Sequence, residues 1–291
     1  MIRILLLGTA VVGIWGSAWV VVRAAISQQH LSPTGLALGR NLVASLACAL
    51  LLLWRRPPPL LPGERLRLLL AGTVGIGLYS LLAGWGQRSA DAGTAAVIIQ
   101  SAPVWTALGA WWLLGERIRG GTWLGMALAV AGLALIGCGA RPGAGGTLPD
   151  LAMLFGASLA FSGYSLWMQP VAARIGGWWP TAFAVWIGTI ALLPWGGDAL
   201  ADLRSQPRTA LLVWGFLGVL STAAAYAAWT ALTGLLPLAR AAVFLYLVPV
   251  LALALGWAIL GESPGTLGLA GVGCILAGVV AAQRKPSGDN P

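Results

Sequence analysis

An internal repeat constrains this chain more than any other feature of its sequence. Residues 93–132 recur without a gap 146 positions later, as residues 239–278. Matches between Ala or Gly are weak evidence in a chain so rich in small residues, but larger residues match too: Pro103 with Pro249, Trp111 with Trp257, and Glu116 with Glu262. The halves 1–146 and 147–291 are therefore predicted to be two versions of one structural unit.

Composition indicates what kind of unit this is. Hydrophobic residues make up 58% of the chain and charged residues only 9%, which leaves too little polar surface to cover a water-soluble globule. Apolar runs of about 20 residues, the length that crosses a bilayer as a helix, alternate with short polar breaks. Ten spans are predicted, at residues 4–26, 34–54, 66–88, 92–114, 120–139, 149–173, 178–195, 209–235, 239–260 and 266–284. The fold class is an all-α integral membrane protein embedded in a lipid bilayer.

The first apolar run could instead be a cleaved signal peptide. Segment 11–26 aligns at the same offset with the internal segment 157–172, so we assign it to the fold.

The distribution of basic residues predicts the orientation of the chain. The net charge is +9, but the basic side chains lie in the breaks between spans and do not form the continuous patch typical of nucleic-acid binding. The side that carries the N-terminus has more of them, namely Arg3, Arg55, Arg56, Arg65, Arg67, Arg117, Arg119, Arg174, Arg240, Arg284 and Lys285. The other side has Arg23, Arg88, Arg141, Arg204 and Arg208. By the positive-inside rule both termini, and the loops after spans two, four, six and eight, are predicted to be cytoplasmic.

An odd number of spans in each half makes the second half enter the membrane from the opposite side, so the five-helix repeats are inverted. The loop after Glu116 carries Arg117 and Arg119, whereas its equivalent after Glu262 carries Ser263 and Gly265, which fits an outward-facing loop. Inverted repeats of this kind build carriers that open alternately to the two sides of a membrane.

The chain also resembles the EamA branch of the drug/metabolite transporter superfamily. The resemblance covers nearly the whole sequence, and it is carried by Trp15-Gly16-Ser17-Ala18-Trp19, by Pro33 with Arg40-Asn41 and Ala44, and by the two segments that end Leu114-Gly115-Glu116 and Leu260-Gly261-Glu262. It implies ten helices, cytoplasmic termini, a place in the bacterial inner membrane and export of amino acids or other small metabolites. Exporters of aromatic amino acids share this layout. We expect a small-molecule substrate, no cofactor and a functional monomer.

Repeat-equivalent residues near mid-membrane are the first candidates for a substrate path. Pro103 and Pro249 lack an N–H and leave the carbonyls of Ile99 and Leu245 without a helical partner. Such carbonyls need protein, water or substrate in a bilayer, so the kinks are predicted to face a cavity and act as hinges, although a packing kink is the alternative.

Gln100 and Tyr246, one turn before each proline, are predicted to contact substrate from the two halves; each could instead bond a neighbouring helix. Other aromatic and hydroxyl side chains lie at similar depth and predict a cavity with aromatic walls. The candidates for substrate contact are Trp15, Ser17, Trp19, Tyr79, Tyr164, Trp167 and Tyr226. Core or lipid-facing positions are the alternative for any single Trp.

Arg40 is the basic residue placed inside a predicted span. It could snorkel to the outer interface, or it could turn inward and bind a carboxylate in transit. By contrast, every Asp and Glu lies in a break or a tail, so the buried membrane carboxylate of small four-helix proton-coupled multidrug antiporters has no counterpart here. Glu116 and Glu262 are instead predicted to stabilise helix N-termini.

Enzyme and metal chemistry find no support in the sequence. His30 has no Cys or acidic companions, and Cys48, Cys138 and Cys274 lack metal-ligand spacing. The sequence therefore predicts a transporter that exports small amphipathic metabolites, amino acids and aromatic ones among them. Export of other metabolites or drugs, or flipping of a lipid-linked substrate, is the alternative.

Overall fold

Ten helical stretches follow one another along the part of the chain that the structure describes. The structure is a computed structural model that describes residues 2–27, 30–50, 56–88, 95, 98–118, 120–138, 147–260 and 265–283. Every regular element among these residues is a helix. In the first half they are α1 (Ile2–Ser27), α2 (Pro33–Leu50), α3 (Pro62–Gly86), α4 (Ala102–Leu113) and α5 (Gly120–Cys138). In the second half they are α6 (Leu148–Ile175), α7 (Trp178–Ser205), α8 (Pro207–Leu235), α9 (residues 238–260) and α10 (Gly265–Gln283).

Five of these helices, α1, α3, α6, α7 and α8, are long and apolar enough to cross a bilayer. Shorter apolar helices occur at Gly120–Ile136, Leu238–Ala252 and Gly265–Ala281. The predicted spans 34–54 and 92–114 continue into residues outside the described part of the chain. The predicted all-α membrane fold is confirmed. We call the end of the bundle at which α1 begins the inner end, after the predicted topology, and the opposite end the outer end.

The two halves pack in equivalent ways. Helix α1 packs on α9 as α6 packs on α4, and α2 packs on the middle of α8 as α7 packs on the middle of α3. Both middle segments are π-helical, at Ala71–Leu78 in α3 and Phe216–Ala224 in α8, which are repeat-equivalent ranges. Widened turns of this type inside an α-helix are frequent at functional sites because they redirect side chains.

Helices α5 and α10 are repeat partners and form a seam of glycines. A Cβ built on Gly132 would lie 2.5 Å from the Gly271 carbonyl oxygen, and one on Gly278 would lie 2.5 Å from the Gly125 carbonyl oxygen. These two pairs show that the helices run antiparallel. Since Gly125 corresponds to Gly271 and Gly132 to Gly278, each pair is the repeat image of the other, as in an isologous two-fold contact. The pseudo-two-fold axis of the inverted repeat therefore passes through this seam.

The last turns of α7 lie across the outer end. In the segment Gly196–Ser205, Asp202 accepts hydrogen bonds from the backbone N–H (3.0 Å) and the hydroxyl (2.9 Å) of Ser32, and Asp198 accepts one from the Thr34 hydroxyl at 2.6 Å. These contacts fix the connection between α1 and α2 against the second half.

The predicted orientation can be tested on exposed positions. After removal of the native cysteines, Leu61→Cys and Arg117→Cys at the inner end should resist a membrane-impermeant maleimide added outside intact cells, whereas Leu200→Cys at the outer end should react. Leu61 and Leu200 are 56% and 45% exposed, so protection at either would report the membrane side and not burial. The reverse labelling pattern would contradict the positive-inside assignment.

Candidate substrate cavity

A cavity of about 900 Å³, counted with the solvent-open space at its mouth, lies between the two halves. Its walls come from α1, α2 and α3, from the residues that lead into α4, and from α6, α8 and α9. In the first three helices the lining residues fall within 15–26 of α1, 33–40 of α2 and 79–84 of α3, and Gln87 lies just after α3. These are the middle and outer parts of those helices, so the cavity extends from mid-membrane to the outer end.

Aromatic rings form the floor of the cavity. Trp15 packs edge-on against Phe161 and Tyr226, with ring centroids 5.5 and 5.3 Å apart, and Tyr79 lies 6.0 Å from Phe161. The Trp15 indole N–H donates to the Ser221 carbonyl at 3.0 Å, so this buried donor is satisfied. The floor therefore presents ring faces and edges to anything that enters.

The π-helical segments position two of these rings. The segment in α3 ends at Leu78, directly before Tyr79, and the segment in α8 contains Ser221 and ends just before Tyr226. The extra residue per turn aims both tyrosines at the cavity from opposite halves of the molecule.

Arg40 brings a positive charge into the cavity wall. Its Nη2 donates to the Ser80 hydroxyl at 2.8 Å, and Asn41 Nδ2 donates to the Ala37 carbonyl at 2.7 Å and approaches the same hydroxyl at 3.4 Å. The Arg40 Nε is buried without a hydrogen-bond partner, and no ion pair to Arg40 occurs among the described residues. Of the two readings from sequence, the inward one agrees with this position. An uncompensated cation at membrane depth is costly, which marks it as a candidate functional group.

The spans of α4 and α9 are interrupted before their prolines. Gln100 and Ser101 form a turn, and Pro103 lies in the first turn of α4. In α9 the residues Val243–Tyr246 form a 3-10 turn, and Pro249 follows in the first turn of the next helical segment. The prolines thus begin new helical segments instead of bending continuous ones, because their ring is tolerated at a helix start.

The residues just before these breaks lie in the cavity wall. Ile99 and Leu245, whose carbonyls were expected to face a cavity, both line it, and Gln100 does so from the same stretch. Pro103 and Pro249 do not line it, and their action as hinges stays a prediction.

Tyr246 lies in a different environment from its repeat partner Gln100. Its side chain is 1% exposed and packs among α5, α9 and α10, against residues that include Met126 and Ile136. Its hydroxyl has no hydrogen-bond partner. A buried unpaired hydroxyl costs about 1–3 kcal/mol, so this conformation leaves an unsatisfied group on the inner side of the floor.

A buried polar network lies below the aromatic floor. The Tyr164 hydroxyl is 2.8 Å from the Thr230 hydroxyl, Thr181 donates to Thr230 at 3.1 Å, and the Trp229 indole donates to Ser165 at 3.0 Å. All five side chains are at most 1% exposed. Tyr164 therefore ties α6, α7 and α8 together and does not line the cavity in this conformation.

The carboxylate of Glu116 joins the two halves at the inner end. It accepts hydrogen bonds from the Gln169 side chain at 2.9 Å and from the backbone N–H groups of Leu238 at 2.8 Å and Ala239 at 3.2 Å. For Glu116 the predicted contact with a helix N-terminus is confirmed, but the helix is α9 and not the one that follows in sequence. Glu262, for which the same contact was predicted, lies outside the described residues. Gly115, at φ +68°, supplies the left-handed turn that ends α4 and points Glu116 across the bundle.

A second polar contact closes the same end. The Arg174 guanidinium at the end of α6 donates to the Glu64 carboxylate in the first turn of α3, with Nε to Oε1 at 2.6 Å, and to the Pro59 carbonyl at 3.0 Å. With Glu116, this ion pair joins the halves at the inner end, while the cavity extends to the outer end.

The sequence matches the EamA-like transporter family over residues 2–138 and again over 149–282. These two stretches correspond to the two packed halves. The chain belongs to the EamA-like transporter family. It is therefore a multi-pass membrane transporter built from two EamA repeats.

Named relatives are similar over most of their length. A Streptantibioticus cattleyicolor protein named "Probable terminal-alkyne amino-acid exporter" is 32% identical over 94% of this chain and 91% of that protein. A Salmonella typhimurium protein named "Probable amino-acid metabolite efflux pump" is 27% identical over 94% of this chain and 92% of that protein. A crystal structure superposes with a TM-score of 0.75 at 19% identity, covering 96% of this chain and 95% of that one, which shows a shared fold.

In this EamA protein the cavity brings together about half of the residues predicted from sequence. Those that line it are Trp15, Trp19, Arg40, Tyr79, Gln100 and Tyr226. Those that do not are Ser17, Pro103, Tyr164, Trp167, Tyr246 and Pro249. The Ser17 hydroxyl donates to the α1 carbonyls of Gly13 and Ile14, and Trp167 packs against the core.

Other lining residues were not singled out from the sequence, Phe161 and Gln87 among them. Phe161 is the repeat partner of Trp15, which could have identified it, whereas Gln87 gave no comparable signal.

Proposed function

We propose that this EamA transporter exports small amphipathic metabolites that carry a carboxylate, with amino acids, aromatic ones included, as the leading class. The observation that carries this proposal is the Arg40 guanidinium, which has no ion-pair partner among the described residues, in the wall of a cavity with an aromatic floor. A carboxylate would supply its missing partner, and the rings of Trp15, Phe161 and Tyr226 would receive an apolar side chain. The names of the two relatives support the amino-acid class.

The mechanism that the structure supports is alternating access. The cavity extends to the outer end, while Glu116 and the Arg174–Glu64 pair close the inner end. Because the repeats are inverted, each half can adopt the conformation that the other half has here. That exchange would close the outer end and open the inner end. Substrate would enter in that second conformation from the cytoplasmic side and leave through the cavity described above.

Counterflow in proteoliposomes tests the proposal. Vesicles loaded with unlabelled L-phenylalanine, L-leucine or L-threonine should accumulate the same labelled amino acid transiently, with the aromatic one preferred, and protein-free vesicles should not. Absence of counterflow for a panel of amino acids, together with flux of a neutral or cationic drug, would contradict the proposal.

Gln100 and Tyr246 are expected to matter for transport in different conformations. Gln100→Leu removes an amide from the present cavity wall, and Tyr246→Leu removes a hydroxyl that the repeat would place on the inner side of the path in the alternate conformation. Both variants should reduce flux several-fold while leaving membrane expression intact.

Tyr246→Phe is the matched control, because it keeps the ring in its packed position and deletes only the oxygen. Retained stability with reduced flux would identify the hydroxyl as functional. Wild-type flux in both Gln100→Leu and Tyr246→Phe would exclude these polar groups from the substrate path.

Coupling is expected not to depend on an acid at mid-membrane. The described carboxylates lie near helix ends, at Glu64, Glu116, Asp150, Asp198 and Asp202. A phenol in water loses its proton only at about pH 10, which is too high for proton cycling at neutral pH. Flux should therefore run down a substrate gradient in liposomes without an imposed pH difference.

Imposing a pH gradient should add little uphill accumulation. Strong proton-driven accumulation that is abolished by His30→Gln or Asp91→Asn would contradict this expectation. Asp91 lies outside the described residues, and His30 is exposed at the outer end.

A further inference from the structure

We propose that the cavity recognises its substrate by the carboxylate and the apolar side chain, and that the amine of an amino acid is dispensable. The inference rests on the proposed function and names its substrate class more narrowly. That class is the amphipathic monocarboxylates, of which aromatic amino acids and their deaminated analogues, the arylalkanoic acids, are both members.

The charge of the cavity is the first step. Arg40 is the only charged side chain among the described residues that line it. Its Nη2 is anchored by Ser80, which leaves further N–H donors of the planar guanidinium unpaired, the buried Nε among them. A carboxylate can engage two such donors at once, whereas an ammonium is repelled.

The backing of Arg40 is the second step. Asn41 is fully buried and bonds the Ala37 carbonyl, one turn earlier in α2, while its amide also approaches the Ser80 hydroxyl. Ser80 in turn is 4% exposed and holds Arg40 from α3. The guanidinium is therefore oriented before a substrate arrives, so carboxylate binding does not have to order this side chain.

The ring floor is the third step. Tyr79 adjoins Ser80 in sequence, so the floor begins beside the anchored guanidinium, and Phe161 and Trp15 continue it at centroid distances of 6.0 and 5.5 Å. A substrate whose carboxylate lies on Arg40 thus places its side chain against ring surfaces. This arrangement favours a substrate that carries an aromatic or branched apolar group as well as a carboxylate.

The remaining polar groups of the wall complete the argument. Gln87 and Gln100 line the cavity as neutral amides, and the Gln87 Nε2 donates a hydrogen bond to the Ala83 carbonyl at 2.8 Å. These neutral acceptors carry no negative charge, and repulsion from the nearby Arg40 offsets the hydrogen bonds that they could accept from an ammonium. Loss of the carboxylate, by contrast, leaves the part-buried Arg40 cation without an ion-pair partner among the described residues.

Three ligands that share a phenylethyl skeleton separate the contribution of the carboxylate to binding from that of the amine. We would measure the inhibition of L-phenylalanine counterflow, and the binding to protein in nanodiscs by calorimetry, of L-phenylalanine, 3-phenylpropanoate and 2-phenylethylamine. 3-Phenylpropanoate should bind within about tenfold of phenylalanine, since it lacks only neutral-acceptor contacts. 2-Phenylethylamine should bind at least about 30-fold more weakly. In Arg40→Gln this preference for the acid over the amine should disappear.

Each other result overturns the inference. Binding of phenylalanine without binding of 3-phenylpropanoate would show that the amine is required, while leaving amino-acid export intact. If Asp91→Asn weakened the binding of phenylalanine but not that of 3-phenylpropanoate, Asp91 would contact the amine, and the inference that the amine is dispensable would be wrong. Binding of none of the three would overturn both this inference and the aromatic amino-acid class of the proposed function.

Discussion

Arg40→Gln should abolish most transport of carboxylate substrates while leaving the folded protein as stable as before, or more so. The substitution removes the cation that we propose pairs with the substrate, and loss of one partner of a buried charge pair costs about 2–5 kcal/mol, or at least about 30-fold in substrate affinity. The same change relieves the protein of a charge that is unpaired among the described residues, which is costly in the empty carrier. Counterflow and thermal unfolding in detergent, measured on one preparation, provide the two readouts.

Two controls sharpen this experiment. Arg40→Lys keeps the charge but replaces the planar fork by a single ammonium, so it should restore affinity only in part. Arg204→Gln removes an equal charge from the exposed outer turns of α7 and should leave flux unchanged. If Arg40→Gln lost stability and transport together, Arg40 would be a structural residue, and the carboxylate assignment would be wrong.

Glu116→Ala should shift the carrier toward the conformation that is open at its inner end. The carboxylate accepts three hydrogen bonds that join α4 to α6 and to the N-terminus of α9, and hydrogen bonds to charged groups contribute about 1.5–3 kcal/mol each. Even partial loss would change the ratio of the two conformations by about tenfold or more. Ala83→Cys, in the cavity wall, should then react more slowly with an impermeant maleimide from the outer side.

Glutamine substitutions at Glu116 and at Glu64 should change the ratio of the two conformations by smaller steps. Glu116→Gln retains one acceptor oxygen and should shift the ratio less than Glu116→Ala, and Glu64→Gln, which weakens the pair with Arg174, should add to it. Asp198→Asn is the matched control because its carboxylate bonds Thr34 at the outer end. Unchanged labelling of Ala83→Cys in the double variant would show that these contacts do not hold the inner end closed.

The repeat predicted the architecture well because it depends on many residues at once. Proline, tryptophan and glutamate at one offset required two similar units, and an odd number of spans required that they be inverted. The sequence predicted only one ring of the Trp15–Phe161 pair in the cavity floor, namely Trp15. Phe161 was not predicted because phenylalanine has no polar group that would distinguish it in an apolar span.

Repeat equivalence could not predict which residues share a cavity at one moment. Gln100 lines the cavity and Tyr246 is 1% exposed in the core, although they occupy equivalent positions. A carrier that is open at one end must be asymmetric, so equivalent residues lie in different environments in any single conformation. The hydrogen bonds of Tyr164 to Thr230 and of Glu116 to α9 depend on packing between distant segments, which composition and periodicity do not report.

The glycine seam between α5 and α10 bears on how such a carrier can move. Where Gly132 meets Gly271 and Gly125 meets Gly278, the main chains of the two helices approach each other closely, and Ile136 and Ile275 pack beside the first pair. An interface packed this closely is not continuously deformable. Helices α5 and α10 therefore move as one rigid body. The remaining helices must move relative to this pair when the open and closed ends exchange.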